Sequence, residues 1–136
     1  MTGRKGERGQ SLTELAISFL VLVMILAATV DLGRLFFSFI AIREAAEEGA
    51  LFGSFHPTDS SGIILRVRDS SSTPVDLADT SNVGVVVSGD SCAPGTVVVT
   101  VTDQFKLTMP LIGVIIGAQT FPISVSATGT ILAPEC

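Results

Sequence analysis

Between Leu15 and Val30 the chain carries no charge, and Ser18 and Thr29 are the only polar residues. Both hydroxyls can return to a carbonyl one turn back, so a helix here satisfies its polar groups without water. Counting on through Phe36, Phe37, Phe39 and Ile40, the run exceeds the roughly 20 residues needed to cross a hydrocarbon core. Asp31 and Arg34 interrupt it at i,i+3 spacing, where they can pair on one face near the outer boundary. A cleaved secretory signal fits less well, because its apolar core spans only about 7–15 residues and ends at small residues. Leu26-Ala27-Ala28 is a poor cut site of that kind. The segment reads as a transmembrane helix.

Charge orients it. Arg4, Lys5 and Arg8 outweigh Glu7 in the leader, and the positive-inside rule then places the N-terminus in the cytoplasm and everything after Ile42 outside. Beyond Ile42 the cations are Arg43, Arg66, Arg68 and Lys106, set against ten carboxylates. An acidic ectodomain without a basic patch excludes nucleic acid as a partner. The hydrophobic fraction of 47% is concentrated in the anchor, which leaves one small domain outside.

Glu14 stands at the head of the apolar run, where a lone carboxylate is costly unless it finds a partner. Arg8-Gly9-Gln10 comes just before it. A basic leader, a glycine, and a glutamate five residues on resemble the processing site of type IV prepilins. The resemblance implies that a prepilin peptidase in the membrane cuts between Gly9 and Gln10, leaving the helix on the mature protein. Glu14 then holds the fifth mature position, where it can meet the new N-terminal amine of a neighbouring subunit in a packed filament.

Within that superfamily the chain resembles TadE-like proteins of the tight-adherence (Tad) pilus system. RGQSLTELA, VDLGR and AIREAAEEGALFG carry the likeness, over about the first 55 residues. Leu15 departs from the aromatic that usually follows the glutamate, which weakens the likeness to the major Flp pilins more than to TadE. Asp31 and Arg34 are a weaker carry-over to assembly than Glu14. The implied partners are the membrane, the peptidase, other pilin or pseudopilin subunits, and indirectly an inner-membrane platform and a secretion ATPase. The rival expectation, from a different class, is a permanently anchored extracytoplasmic binding or sensor domain.

The expected fold is α+β: a long N-terminal pilin-like transmembrane helix, then a small domain with a short helix and a three-stranded antiparallel sheet. The expected divisions are a leader over 1–9, the helix with its extramembrane extension over 10–52, and the extracytoplasmic domain over 53–136. Ala41, Ala45, Ala46, Gly49 and Ala50 give the extension a small-residue face, with Glu44, Glu47 and Glu48 towards solvent. That face suits the chain's own sheet and a second subunit about equally. Gly53 to Gly62, with Pro57, breaks the helix. Ser61 to Asp69 is ambiguous between strand and helix, and the TadE resemblance favours a helix capped by Ser60 or Ser61. Ser70 to Asn82 reads as a loop.

Val83–Ser88, Thr96–Phe105 and Phe121–Leu132 read as strands, with Val97, Val99 and Val101 on one face and Ile123, Val125 and Ala127 forming an apolar set. Met109 to Ala118 is apolar yet too short to span a bilayer. It is expected to contact a subunit or the membrane surface, with burial against its own domain close behind.

Cys92 and Cys136 lie on the outer side and most simply form one disulfide, closing a loop of about 45 residues worth roughly 4 kcal/mol in the chain-entropy picture. Nothing suggests an enzyme, a cofactor or a metal site. His56 is the only histidine and reads as a solvated loop residue. The loop carboxylates lack the EF-hand spacing, and no nucleophile or phosphate motif is present.

Overall fold

The computed structural model describes residues 7–92, 94–109, 113 and 117–132. The chain opens with α1, Glu7–Phe55, an unbroken helix of 49 residues that is about 74 Å long. Its two halves behave differently. From Gly9 to Val30 almost every side chain is exposed or half-exposed, Leu15, Ile17 and Phe19 among them. From Asp31 onward one stripe is buried: Asp31, Ser38, Ala41, Ile42, Ala45, Ala46, Gly49, Ala50, Gly53 and Ser54. That three-and-four spacing is one face of a helix, and it faces the sheet domain.

Four elements complete the domain: α2, Ser60–Asp69; β1, Val83–Gly89; β2, Thr96–Lys106; and β3, Thr120–Thr130. The sheet is antiparallel in the order β1-β2-β3, with Val85 opposite Val101 and Val101 opposite Val125. Alternation decides what each face does. Val97, Val99, Val101 and Phe105 of β2 are buried against the helices. The opposite face carries hydroxyls, with Thr100 and Ser126 hydrogen-bonded across the strands at 2.8 Å and Thr102 donating to Ser124 at 3.1 Å.

Small residues set how closely helix and sheet approach. A methyl group added at Gly129 of β3 would lie 2.4 Å from the Ala50 carbonyl oxygen and 2.5 Å from the Ser54 hydroxyl, and one at Gly49 would lie 2.5 Å from Val67. The small-residue face of α1 is therefore buried under the chain's own sheet and α2, while Glu44, Glu47 and Glu48 remain in solvent. Between the two uses the sequence left open, this half of α1 takes the intramolecular one.

Several details depart from expectation. α1 continues through Gly53, which is buried against Val97 and Ile63, and ends only at Phe55. The cap of α2 is Asp59, not Ser60 or Ser61: its carboxylate accepts the Gly62 N–H at 2.8 Å. The polar segment between α2 and β1 supplies core, since Val75 and Leu77 are buried. Arg68 holds it by donating to the Leu77 carbonyl at 2.9 Å. Cys136 and most of Met109 to Ala118 lie outside the described residues, and with them the expected bridge to Cys92 and the placement of that apolar connection.

Candidate functional site

The first half of α1 offers a bare apolar rod. In its most apolar stretch of 18 residues only 6% is buried by the rest of the chain. Burying that surface in lipid or against other helices satisfies the hydrophobic effect, and water does not. Thr29 returns its hydroxyl to the Ile25 carbonyl at 2.9 Å, as a lipid-facing threonine requires. Gly9 and Gln10 are exposed and already helical, so the expected cut falls within the first turns of α1. Thr13 donates to the Gln10 carbonyl at 2.8 Å. Glu14 is exposed one turn on, and no described residue pairs with it.

The second feature is the junction where the sheet domain grips α1. Asp31 is 4% exposed. Its carboxylate accepts the backbone N–H of Met109 at 3.0 Å and of Thr108 at 3.3 Å, and Arg34 lies 3.4 Å away. The Arg34 guanidinium also donates to the Thr108 hydroxyl and lies 5.6 Å from the centre of the Phe105 ring. The expected i,i+3 pair forms, but it is one part of a clamp that ties the end of β2 to the helix.

Above the clamp, Asp79 and Asp103 line a cleft of about 280 Å³ with Arg34, Ser38 and Asn82. Burial of Asp103 on the apolar face of β2 raises its pKa, the Gln104 N–H opposes the rise, and the nearby Asp79 charge adds to it. Asp79 is held down at about 2 by hydrogen bonds from the side chains of Ser81 and Asn82 and from the Ser81 N–H. One acid is stabilised as its anion and the other is disfavoured. Among the described residues no group of three His, Cys, Asp or Glu side chains is placed to hold a metal ion. His56 is exposed and stacks on Phe52 at 4.7 Å.

Residues 9–51 match the family model described as TadE-like protein. The match spans nearly all of α1, the bare half and the gripped half alike, and ends before α2. No curated protein and no solved structure matches the chain. Among the described residues one helix is long and apolar enough to cross a bilayer, and with the family match it supports a single-pass membrane protein.

Sequence reasoning located the rod and the Asp31–Arg34 pair. It missed Thr108 and Met109, whose contribution is backbone N–H groups that no residue type advertises. Asp103 was legible in principle, because the alternation of Val97, Val99 and Val101 puts the next odd position on the same apolar face.

Proposed function

We propose that this chain is a pilin-like subunit of a Tad-type pilus or of its assembly base, serving surface attachment. It inserts with its N-terminus in the cytoplasm and is cut by a prepilin peptidase between Gly9 and Gln10. The freed helix then packs with other pilin or pseudopilin helices, with the platform and secretion ATPase acting from the membrane and beyond it. Glu14 sets register by meeting the new amine of a neighbour, a pairing that neutralises two charges among packed helices. Residues 53–136 form the outward domain, Asp31 and Arg34 hold it on the helix, and a Cys92–Cys136 bridge ties its C-terminus to the β1–β2 turn.

The observation that carries this proposal is the coincidence of the TadE-like match with a helix whose first half the chain's own domain leaves bare. A permanent anchor also needs a bare span, but it has no use for a carboxylate at the head of that span. Intact mass of the membrane-extracted protein is expected to lack the first nine residues, and a full-length mass in a host with the peptidase would refute the cut. Glu14→Ala should be processed normally yet stay out of sheared filaments. Normal incorporation would remove Glu14 from the register role.

A further inference from the structure

Two adjacent cavities meet at Thr108, and their chemistry is opposite. One, of about 290 Å³, is lined by Arg34, Lys106, Leu107, Thr108 and Gln119. It gathers two of the few cations of a chain whose net charge is −5, beside a hydroxyl and a carboxamide. The other, of about 270 Å³, runs down α1 between Met109 and the side chains of Val23, Leu26, Ala27 and Val30. Its walls are apolar apart from Asp31 and Thr108 at the top, and Asp31 is already engaged by two backbone N–H groups.

The height of this pair along the helix fits a bilayer boundary. From Leu12 to Asp31 is about 29 Å of helix, close to the roughly 30 Å of a hydrocarbon core. Arg34 stands about one turn higher, within the headgroup layer, and the apolar channel lies just below, among acyl chains. Asp76, Asp79 and Asp103 line a neighbouring cleft that Arg34 and Lys106 also border. The cavity at Thr108 takes the two cations without any of these carboxylates, so an anion there meets positive charge.

We propose that the junction is a binding site for one anionic phospholipid. Its phosphodiester sits against Arg34, Lys106, Thr108 and Gln119, and one acyl chain lies along the Met109 channel. The Arg34 guanidinium has donors to spare beyond its contacts with Asp31 and Thr108, and the Lys106 ammonium is exposed. The site rests on α1 spanning a bilayer. Its occupant is a membrane lipid, and a free phosphate is the competing source of the same headgroup chemistry.

The test uses the full chain reconstituted in phosphatidylcholine with a minor fraction of phosphatidylglycerol, then extracted mildly for native mass spectrometry of retained lipid. Phosphatidylglycerol is expected to be enriched over phosphatidylcholine. Lys106→Gln should cut that enrichment about fivefold, the share of one basic side chain at a membrane surface, with an unchanged melting temperature because Lys106 is exposed. Excess inorganic phosphate should leave the lipid in place. Equal retention of both lipids, indifference to Lys106→Gln, or displacement by phosphate would each overturn the site. Alkaline extraction of the same vesicles checks the span separately: a protein that stays in the membrane pellet but shows no lipid preference refutes the site alone, whereas release into the supernatant refutes the span beneath it.

Discussion

Replacing Asp31 by Ala removes the acceptor of two backbone N–H groups, those of Met109 at 3.0 Å and Thr108 at 3.3 Å. A hydrogen-bonding group left without its partner costs about 1–3 kcal/mol when buried, so two such groups set a range of roughly 2–6 kcal/mol. Thr108 is exposed, so water replaces part of what its N–H loses, and the lower half of that range applies. The lost ion pair with Arg34 adds little, because that side chain is 52% exposed and keeps its contacts with Thr108 and Phe105. A loss of about 2–4 kcal/mol is a large part of the stability of a small domain and lowers its melting temperature by roughly 10–30 °C. Asp31→Asn keeps one carbonyl acceptor and should fall between. The assay is thermal unfolding of the full chain in detergent micelles, read alongside amide hydrogen exchange. Thr108 and Met109 should exchange much faster in Asp31→Ala, while the β2 amides near Val99 keep their protection. If the variant melts like the parent and those two amides exchange at the parental rate, the clamp does not hold the domain to the helix.

Gly129→Val places carbon where the Ala50 carbonyl and Ser54 hydroxyl already sit. It should cost about 1–3 kcal/mol by forcing β3 off the helix, a loss that denaturant melts would register. Leu77→Ala should cost roughly 2–5 kcal/mol although Leu77 lies in a polar loop, because it is fully buried. Leu65→Ala, on the exposed side of α2, should stay within about 0.5 kcal/mol in the same melts. Asp103 has a raised pKa in the fold, so its contribution is most favourable below the unfolded carboxylate value and is lost as pH rises through the folded one. Asp103→Asn should therefore raise the melting temperature at neutral pH and give no gain in acid. Asp79, depressed to about 2, works in the other direction: its contribution is present above the unfolded value near 3.8 and is lost as pH falls towards 2, so Asp79→Asn should destabilise only above that window.

What the sequence made legible follows from periodicity. The odd positions from Val97 to Val101 announced a strand and its buried face, and the unbroken apolar run announced α1. The Ala and Gly face of the extension was visible, but not its use, because a smooth helical surface suits a sheet and a second helix equally well. Val75 and Leu77 were hidden among Ser, Thr, Pro and Asp, with too few apolar neighbours to form a period. The cap of α2 was placed one or two residues late because Ser60, Ser61 and Asp59 all have capping side chains, and only the geometry chooses Asp59. The clamp at Asp31 was half legible: the i,i+3 cation is local, whereas the amides that share the carboxylate come from 77 and 78 residues away.

Because α1 has no joint between its bare and its gripped halves, the outer domain is indexed to the rod like a flag fixed to a pole. One residue inserted near Leu22 would turn that flag by about 100° and raise it by about 1.5 Å. Seven inserted residues would bring it back to within about 20° of its original bearing, though about 10 Å higher. The azimuth at which the acidic face meets its surroundings is thus written in the number of residues along the apolar run as much as in their identity.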